Sequence, residues 1–178
     1  MEENFKQERV NLAAAFRWAA RLNMHEAVAN HFSLAVSDDG SQFLLNPIGL
    51  HFSEICARDL ILLDSNDSST MSQPNAPDPT AWAIHGAIHR NNPQARCILH
   101  VHPKYATILA CLEDKTMKPI DQNTMRFYEK VSIDNGYDGM GLGDEAERLS
   151  TILGNNSVML MGNHGVLTAA KTVAQAFD

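Results

Sequence analysis

Apolar residues along this chain recur in two rhythms. Over 5–22 they fall at Val10, Ala13, Ala14, Phe16 and Ala20, with Lys6, Glu8, Arg9 and Arg17 between them. That spacing predicts an amphipathic helix, and Asn23 supplies its stop. Two shorter runs follow, Asn30-His31-Phe32-Ser33-Leu34-Ala35-Val36 and Gln42-Phe43-Leu44-Leu45, separated by the turn formers Ser37-Asp38-Asp39-Gly40-Ser41. They predict an antiparallel hairpin, broken after the second strand by Asn46-Pro47-Ile48-Gly49. A helical turn is expected over 53–58, and Leu60-Ile61-Leu62-Leu63 reads as a buried strand.

Residues 65–79 hold four Ser, two Asn, three Pro and two Asp, a composition that suits neither helix nor strand and predicts a surface or active-site loop. Thr80 is expected to cap a helix through Arg90, with Trp82, Ile84, Ala87 and Ile88 on its apolar face and Asn91-Asn92-Pro93 as its stop. A strand ending at His102 comes next, then a helix opened by Pro103 and reaching Leu112. Between 113 and 143 the pattern is less regular: a strand is expected over 128–133 and a glycine-rich loop over 135–141, whose spacing is not that of a phosphate-binding GxGxxG turn. A helix over 144–153, a strand ending at His164, a return run through Val166 and Leu167, and a helix from Thr172 complete the chain. This last helix has no stop signal at Asp178, as expected of a frayed end or of a longer protein.

Chemistry concentrates at Cys97-Ile98-Leu99-His100-Val101-His102-Pro103. Residues i and i+2 of a strand point to one face, so the rings of His100 and His102 can reach a single point. A third histidine, His164, closes the apolar run that starts at Val158, and two strands could thus deliver three neutral nitrogens to a cation such as zinc. An HxH pair alone is a weak signal. Here, however, it ends a strand and turns at Pro103, where α/β sheets place their ligands. Cys97 alternates to the other face with Leu99 and Val101, and reads as a buried small hydrophobe.

Composition narrows the classes. With 178 residues and 44% hydrophobic content the chain is one ordinary globular domain, 1–178. Its formal charge of −7 and the absence of basic runs argue against a nucleic-acid surface. No apolar stretch approaches the ~20 residues that span a bilayer, and no signal-peptide core follows the charged start, so a cytoplasmic location without membrane contact is expected. Cys56, Cys97 and Cys111 lack CxxC spacing and read as free thiols.

Taken together, Asn30-His31-Phe32-Ser33, Asn46-Pro47-Ile48-Gly49 with Phe52-Ser53-Glu54-Ile55, Pro79-Thr80-Ala81-Trp82-Ala83-Ile84-His85, His100-Val101-His102-Pro103 and Gly162-Asn163-His164-Gly165-Val166-Leu167 resemble, in order, the motifs of the class II aldolase/adducin head domain family. The resemblance covers nearly the whole chain. It implies a three-layer α/β/α fold around a largely antiparallel sheet, a homo-oligomer with a tetramer favoured, and His100, His102 and His164 as ligands of a divalent metal, zinc first. It also exposes departures. The family's sugar-phosphate aldolases carry a glutamate at the position of Ala81, and an alanine transfers no proton. Ile48 and Pro79 stand at positions where those aldolases use phosphate-binding serines. The adducin-type subgroup is more similar, with Gln122, Met125 and Phe127 matching a further segment, yet this chain keeps all three histidines.

The resemblance therefore implies a metal-dependent lyase of aldolase or decarboxylase type, acting on a small hydroxy-carbonyl or carboxylate compound through a metal-stabilised enediolate, with dehydration or epimerisation as variants of the same chemistry. The alternative is a non-catalytic adducin-like binding or scaffold protein with a vestigial or structural metal site. With Ala81 in place of the carboxylate, Tyr128, His85 and Glu54 are the candidates for proton transfer. Each also has a plainer role: packing for Tyr128, a helix-end bond to backbone for His85, a cap or ion pair for Glu54. His89 shares a helix face with His85, but Arg90 and Asn91 beside it suggest solvent. Asn30 and Asn163 are expected to orient substrate oxygens or ligand rings, and Gly49 and Gly165 to permit tight turns.

Overall fold

The computed structural model describes residues 4–136 and 144–178. Among them seven strands form one sheet: β1 (His31–Ala35), β2 (Gln42–Leu45), β3 (Ile61–Asp64), β4 (Cys97–Val101), β5 (Val131–Asp134), β6 (Val158–Met161) and β7 (Gly165–Ala170), in the order β3-β2-β1-β4-β7-β6-β5. Every neighbouring pair is antiparallel except β5 with β6, which makes the sheet largely antiparallel, as the motifs imply.

Alternation along the strands divides the core into two layers. Leu34, Cys97, Leu99, Val101, Leu160 and Val166 pack against α1 (Lys6–Arg21) and α6 (Val173–Phe177). There Phe16 stacks on Phe32 at 4.6 Å between ring centroids and meets Phe52 edge-on at 4.7 Å, seating α1 on the sheet. The opposite face, with Ile98, Met159 and Leu167, packs against Ile84, Ala87 and Ile88 of α2 (Pro79–Asn91) and Leu149 and Leu153 of α5 (Asp144–Leu153). The remaining helices are α3 (Lys104–Ala110) and α4 (Gln122–Met125). Helix, sheet and helix give the three-layer α/β/α architecture.

Several boundaries move, each for a local reason. The apolar run at 60–63 lies in edge strand β3, where only Leu63 is fully buried, because β2 covers one side of it alone. Asp78, not Thr80, caps α2: Pro79 holds the preceding residue extended, and the Asp78 carboxylate accepts from the backbone N–H of Thr80 and Ala81. Pro103 is likewise the cap of α3 and not its first turn. The strand expected over 128–133 begins only at Val131, and the turn near 53–58 is a 3-10 helix at Ala57–Asp59. Of the glycine-rich loop, residues 137–143 lie outside the described residues.

Candidate metal centre

β4 ends at Val101, so His100 is its last residue facing α2 and His102 lies one step past the strand. β6 stops at Met161, earlier than expected, and His164 sits on the three-residue turn into β7. Asn163 takes a left-handed conformation there (φ 56), and its N–H donates to Ala110 at 3.0 Å, tying the turn to α3. Because β7 pairs with β4, this turn returns to the level of His102.

The three rings converge. Their ligand atoms all lie within 4.8 Å of one another, and the ring centroids form a nearly equilateral triangle with sides of 4.8, 4.7 and 4.7 Å. Outer contacts settle which nitrogens face inward. His100 Nδ1 lies 3.1 Å from the Val166 carbonyl and His102 Nδ1 lies 2.7 Å from a Glu26 carboxylate oxygen. Both acceptors require an N–H, so each ring turns its Nε2 inward, and the two Nε2 atoms are 2.9 Å apart. Two lone pairs at that distance repel unless a cation, metal ion or proton, lies between them. A histidine that gives its outer N–H to a carboxylate or carbonyl is the usual support of a metal ligand.

Burial favours the neutral, ligating state. It holds His100 well below the ordinary histidine range, with the other ring charges of His31, His164 and His102 acting the same way. Burial also lowers His164, followed by the charge of His102, although Glu145, Asp134 and Glu26 pull it upward. Three converging imidazoles, two of them backed by a carbonyl or a carboxylate, fit a divalent ion of zinc's type. Gly165 makes room for them: an added Cβ would come within 2.4 Å of His102 Cδ2 and 2.7 Å of the Val101 carbonyl oxygen. Its role is close approach. Gly49, by contrast, has φ +78 with open space around it and serves a turn.

A family model described as the Class II Aldolase and Adducin N-terminal domain matches residues 10–178. The chain belongs to this family. Among curated members it is 31% identical over 172 residues to the putative aldolase class 2 protein PA3430 of Pseudomonas aeruginosa, covering 96% of this chain and 65% of that protein. It is 27% identical to the decarboxylase NovR of Streptomyces niveus, covering 92% of this chain and 61% of NovR. The chain thus spans less than two thirds of either. Among solved structures, an aldolase II superfamily protein from Pseudomonas syringae superposes with a TM-score of 0.86 at 32% identity, over 97% of this chain and 70% of that one. The L-fuculose 1-phosphate aldolase of Glaciozyma antarctica superposes with 0.81 at 26% identity, over 99% and 68%.

The other expected site residues are placed unevenly. Asn30 is buried, and its Oδ1 accepts from the Glu26 N–H at 2.6 Å, next to the residue that supports His102. Asn163 is exposed beside His164. Tyr128 is half exposed between α4 and β5, and Glu54 is exposed after the β2 turn; among the described residues neither shares a hydrogen bond or ring contact with His100, His102 or His164. His85 makes no bond to backbone through its ring. It is fully buried and bonded to Ser33 and His31. His89 is also buried, 2% exposed, because α2 turns this edge onto β1 while Arg90 reaches round to Glu147. The sequence reading missed His31 and Ser33. Their signal was strand parity: both alternate to the face opposite Phe32 and Leu34.

Proposed function

We propose that this chain is the metal-bearing domain of a divalent-metal-dependent lyase, of aldolase or decarboxylase type, acting on a small hydroxy-carbonyl or carboxylate compound. The convergence of His100 Nε2, His102 Nε2 and the His164 ring, each of the first two backed by an acceptor on its outer nitrogen, carries the reading. His100, His102 and His164 would hold a divalent ion, zinc first, which would supply Lewis-acid stabilisation of negative charge on a substrate oxygen. His100 and His164, held neutral by burial, bind; Glu26 orients His102. The family's aldolases and the decarboxylase NovR support this reaction class.

Beside the centre, a cavity of about 220 Å³ is lined by Asn30, His31, Asn46, Ile48, Asp78 and Ala81, among others. It lies where the aldolases' carboxylate would stand, and of the groups lining it, His31 and Asp78 have the chemistry to move or hold a proton. Tyr128 and Glu54 stay as weaker proposals, and Asn163 as a substrate contact. His85, fully buried and bonded to His31 and Ser33, stays as a proposal one residue removed from the cavity, acting through His31. Exposed Tyr105 and Ile108 on α3, 81% and 50% accessible, support a homo-oligomer, a tetramer in this reading. Among the described residues no helix is long and apolar enough to cross a membrane, and a cytoplasmic setting belongs to the proposal on the strength of three unpaired thiols.

A second reading, an adducin-like scaffold with a structural metal, is favoured by Ala81 and Ile48, which replace reactive and phosphate-binding side chains. Deuterium exchange separates the two. Metal-loaded protein in D2O with a panel of small hydroxy-ketones and 2-hydroxy acids is expected to exchange protons next to the carbonyl, to stop on chelation and to resume when zinc returns, as followed by proton NMR. One bound ion per chain with no exchange across the panel would support the scaffold instead.

A further inference from the structure

A chain of buried hydrogen bonds runs from the end of α2 to the cavity beside Ala81, and its direction is fixed. The Ala95 carbonyl can only accept, so His89 Nδ1, 2.7 Å away, carries the hydrogen. Burial holds His89 neutral, down to about 3, so its Nε2 is a bare lone pair, and Ser33 Oγ at 2.7 Å must donate to it. Having given its one proton there, Ser33 Oγ can only accept from His85 Nδ1. His85 is likewise kept neutral by burial, so its Nε2 accepts from His31 Nδ1 at 2.7 Å. Only one assignment satisfies every bond. It leaves His31, buried and with its Nδ1 hydrogen given to His85, with Nε2 as its remaining, unshared nitrogen.

We infer that His31 presents this acceptor to a hydroxyl group of the bound small molecule, and that Ser33, His85 and His89 are positioning residues that lock it in that role. The inference rests on the proposed function for the presence of a small molecule at this place.

Two observations point to a ligand and not merely to a satisfied core. His31 lines the cavity, its ring centroid 4.7 Å from that of His100, and among the described residues its Nε2 has no protein partner. Asn30 lines the same cavity, and its Nδ2 is a buried donor without a hydrogen-bond partner. An acceptor and a donor left open on one small cavity suit a hydroxyl, which both donates and accepts. They do not suit an ionised phosphate or carboxylate end, which only accepts and would face the His31 lone pair and the Asp78 carboxylate. The same geometry that removes the aldolases' carboxylate at Ala81 thus selects an uncharged, hydroxylated end of the ligand. The cost of burying four polar side chains is recovered only because every link is made.

The test uses the full, metal-loaded chain with 15N-labelled histidine. Long-range 15N–1H correlation is expected to find His31, His85 and His89 neutral and protonated at Nδ1, the tautomer less favoured by free histidine. Dihydroxyacetone is then titrated as a neutral hydroxylated probe and inorganic phosphate as an anionic one. Ser33→Ala is expected to release His31 to a mixture of tautomers and to weaken dihydroxyacetone binding tenfold or more without weakening phosphate, whereas Ser33→Thr restores both readouts. His31 protonated at Nε2 while dihydroxyacetone still binds would overturn this inference and leave the proposed function standing. All three rings at Nδ1–H with no dihydroxyacetone binding would also overturn this inference, and proton exchange in another compound of the panel would leave the proposed function standing. If Ser33→Ala fails to fold, the tautomers of the wild-type chain and the binding by Ser33→Thr decide.

Discussion

Replacing His102 with alanine is expected to empty the metal centre while leaving the fold intact. The ring lies past the last paired residue of β4, so no ladder bond depends on it. Its loss removes one of three converging nitrogens. Glu26→Gln provides the graded companion: it keeps the shape of the support but exchanges a carboxylate acceptor for an amide. Changes of this kind typically weaken metal binding by about 10–100-fold. His102→Ala should exceed that, taking bound divalent metal from one ion per chain to a trace, as measured by elemental analysis of protein purified without a polyhistidine tag. A circular dichroism spectrum matching the parent would tie the loss to the site. Unchanged metal content in His102→Ala would break the ligand assignment.

Acid is expected to destabilise the metal-free protein well above the pH at which carboxylates titrate. His31 and His89 are each lowered by burial from the ordinary 6.5 to about 3 in the folded state, and His85 and His100 move the same way. The unfolded chain therefore binds protons that the folded chain refuses. The stability these residues contribute is present above about pH 6.5 and is lost progressively as pH falls toward 3. His31 and His89 each cost about 2 kcal/mol between pH 7 and pH 5, or about 4 kcal/mol together, a large part of a typical domain's 5–15 kcal/mol. Urea midpoints at pH 7 and 5 measure it directly. A midpoint unchanged over that interval would mean that these rings carry charge or water in the folded state.

Much of the site was legible in one dimension. The i, i+2 spacing of His100 and His102 ahead of Pro103 places both rings at the end of a strand, and the apolar run before His164 brings the third ring to the same sheet. What the sequence hid is the second set of histidines. His85 and His89 sit on a helix face whose flanking Arg90 and Asn91 signal solvent, and nothing local reveals that β1 lies beneath them with His31 and Ser33 turned upward. That depends on the pairing of β1 with β4, in which His31 stands opposite His100, a contact between residues far apart in the chain. Tyr128 and Glu54 were proposed from chemistry alone. Both lie in turns, where no periodicity constrains placement. The cap of α2 moved from Thr80 to Asp78 because the proline between them fixes the backbone ahead of the helix.

Metal-edge X-ray absorption on untagged, zinc-loaded protein addresses the three-histidine centre most directly. The expected spectrum has three imidazole nitrogens at about 2.0–2.1 Å, with lighter ligands completing the sphere, and loses one imidazole in His102→Ala. Zinc held by fewer than three imidazoles, or a spectrum identical in His102→Ala, would contradict it.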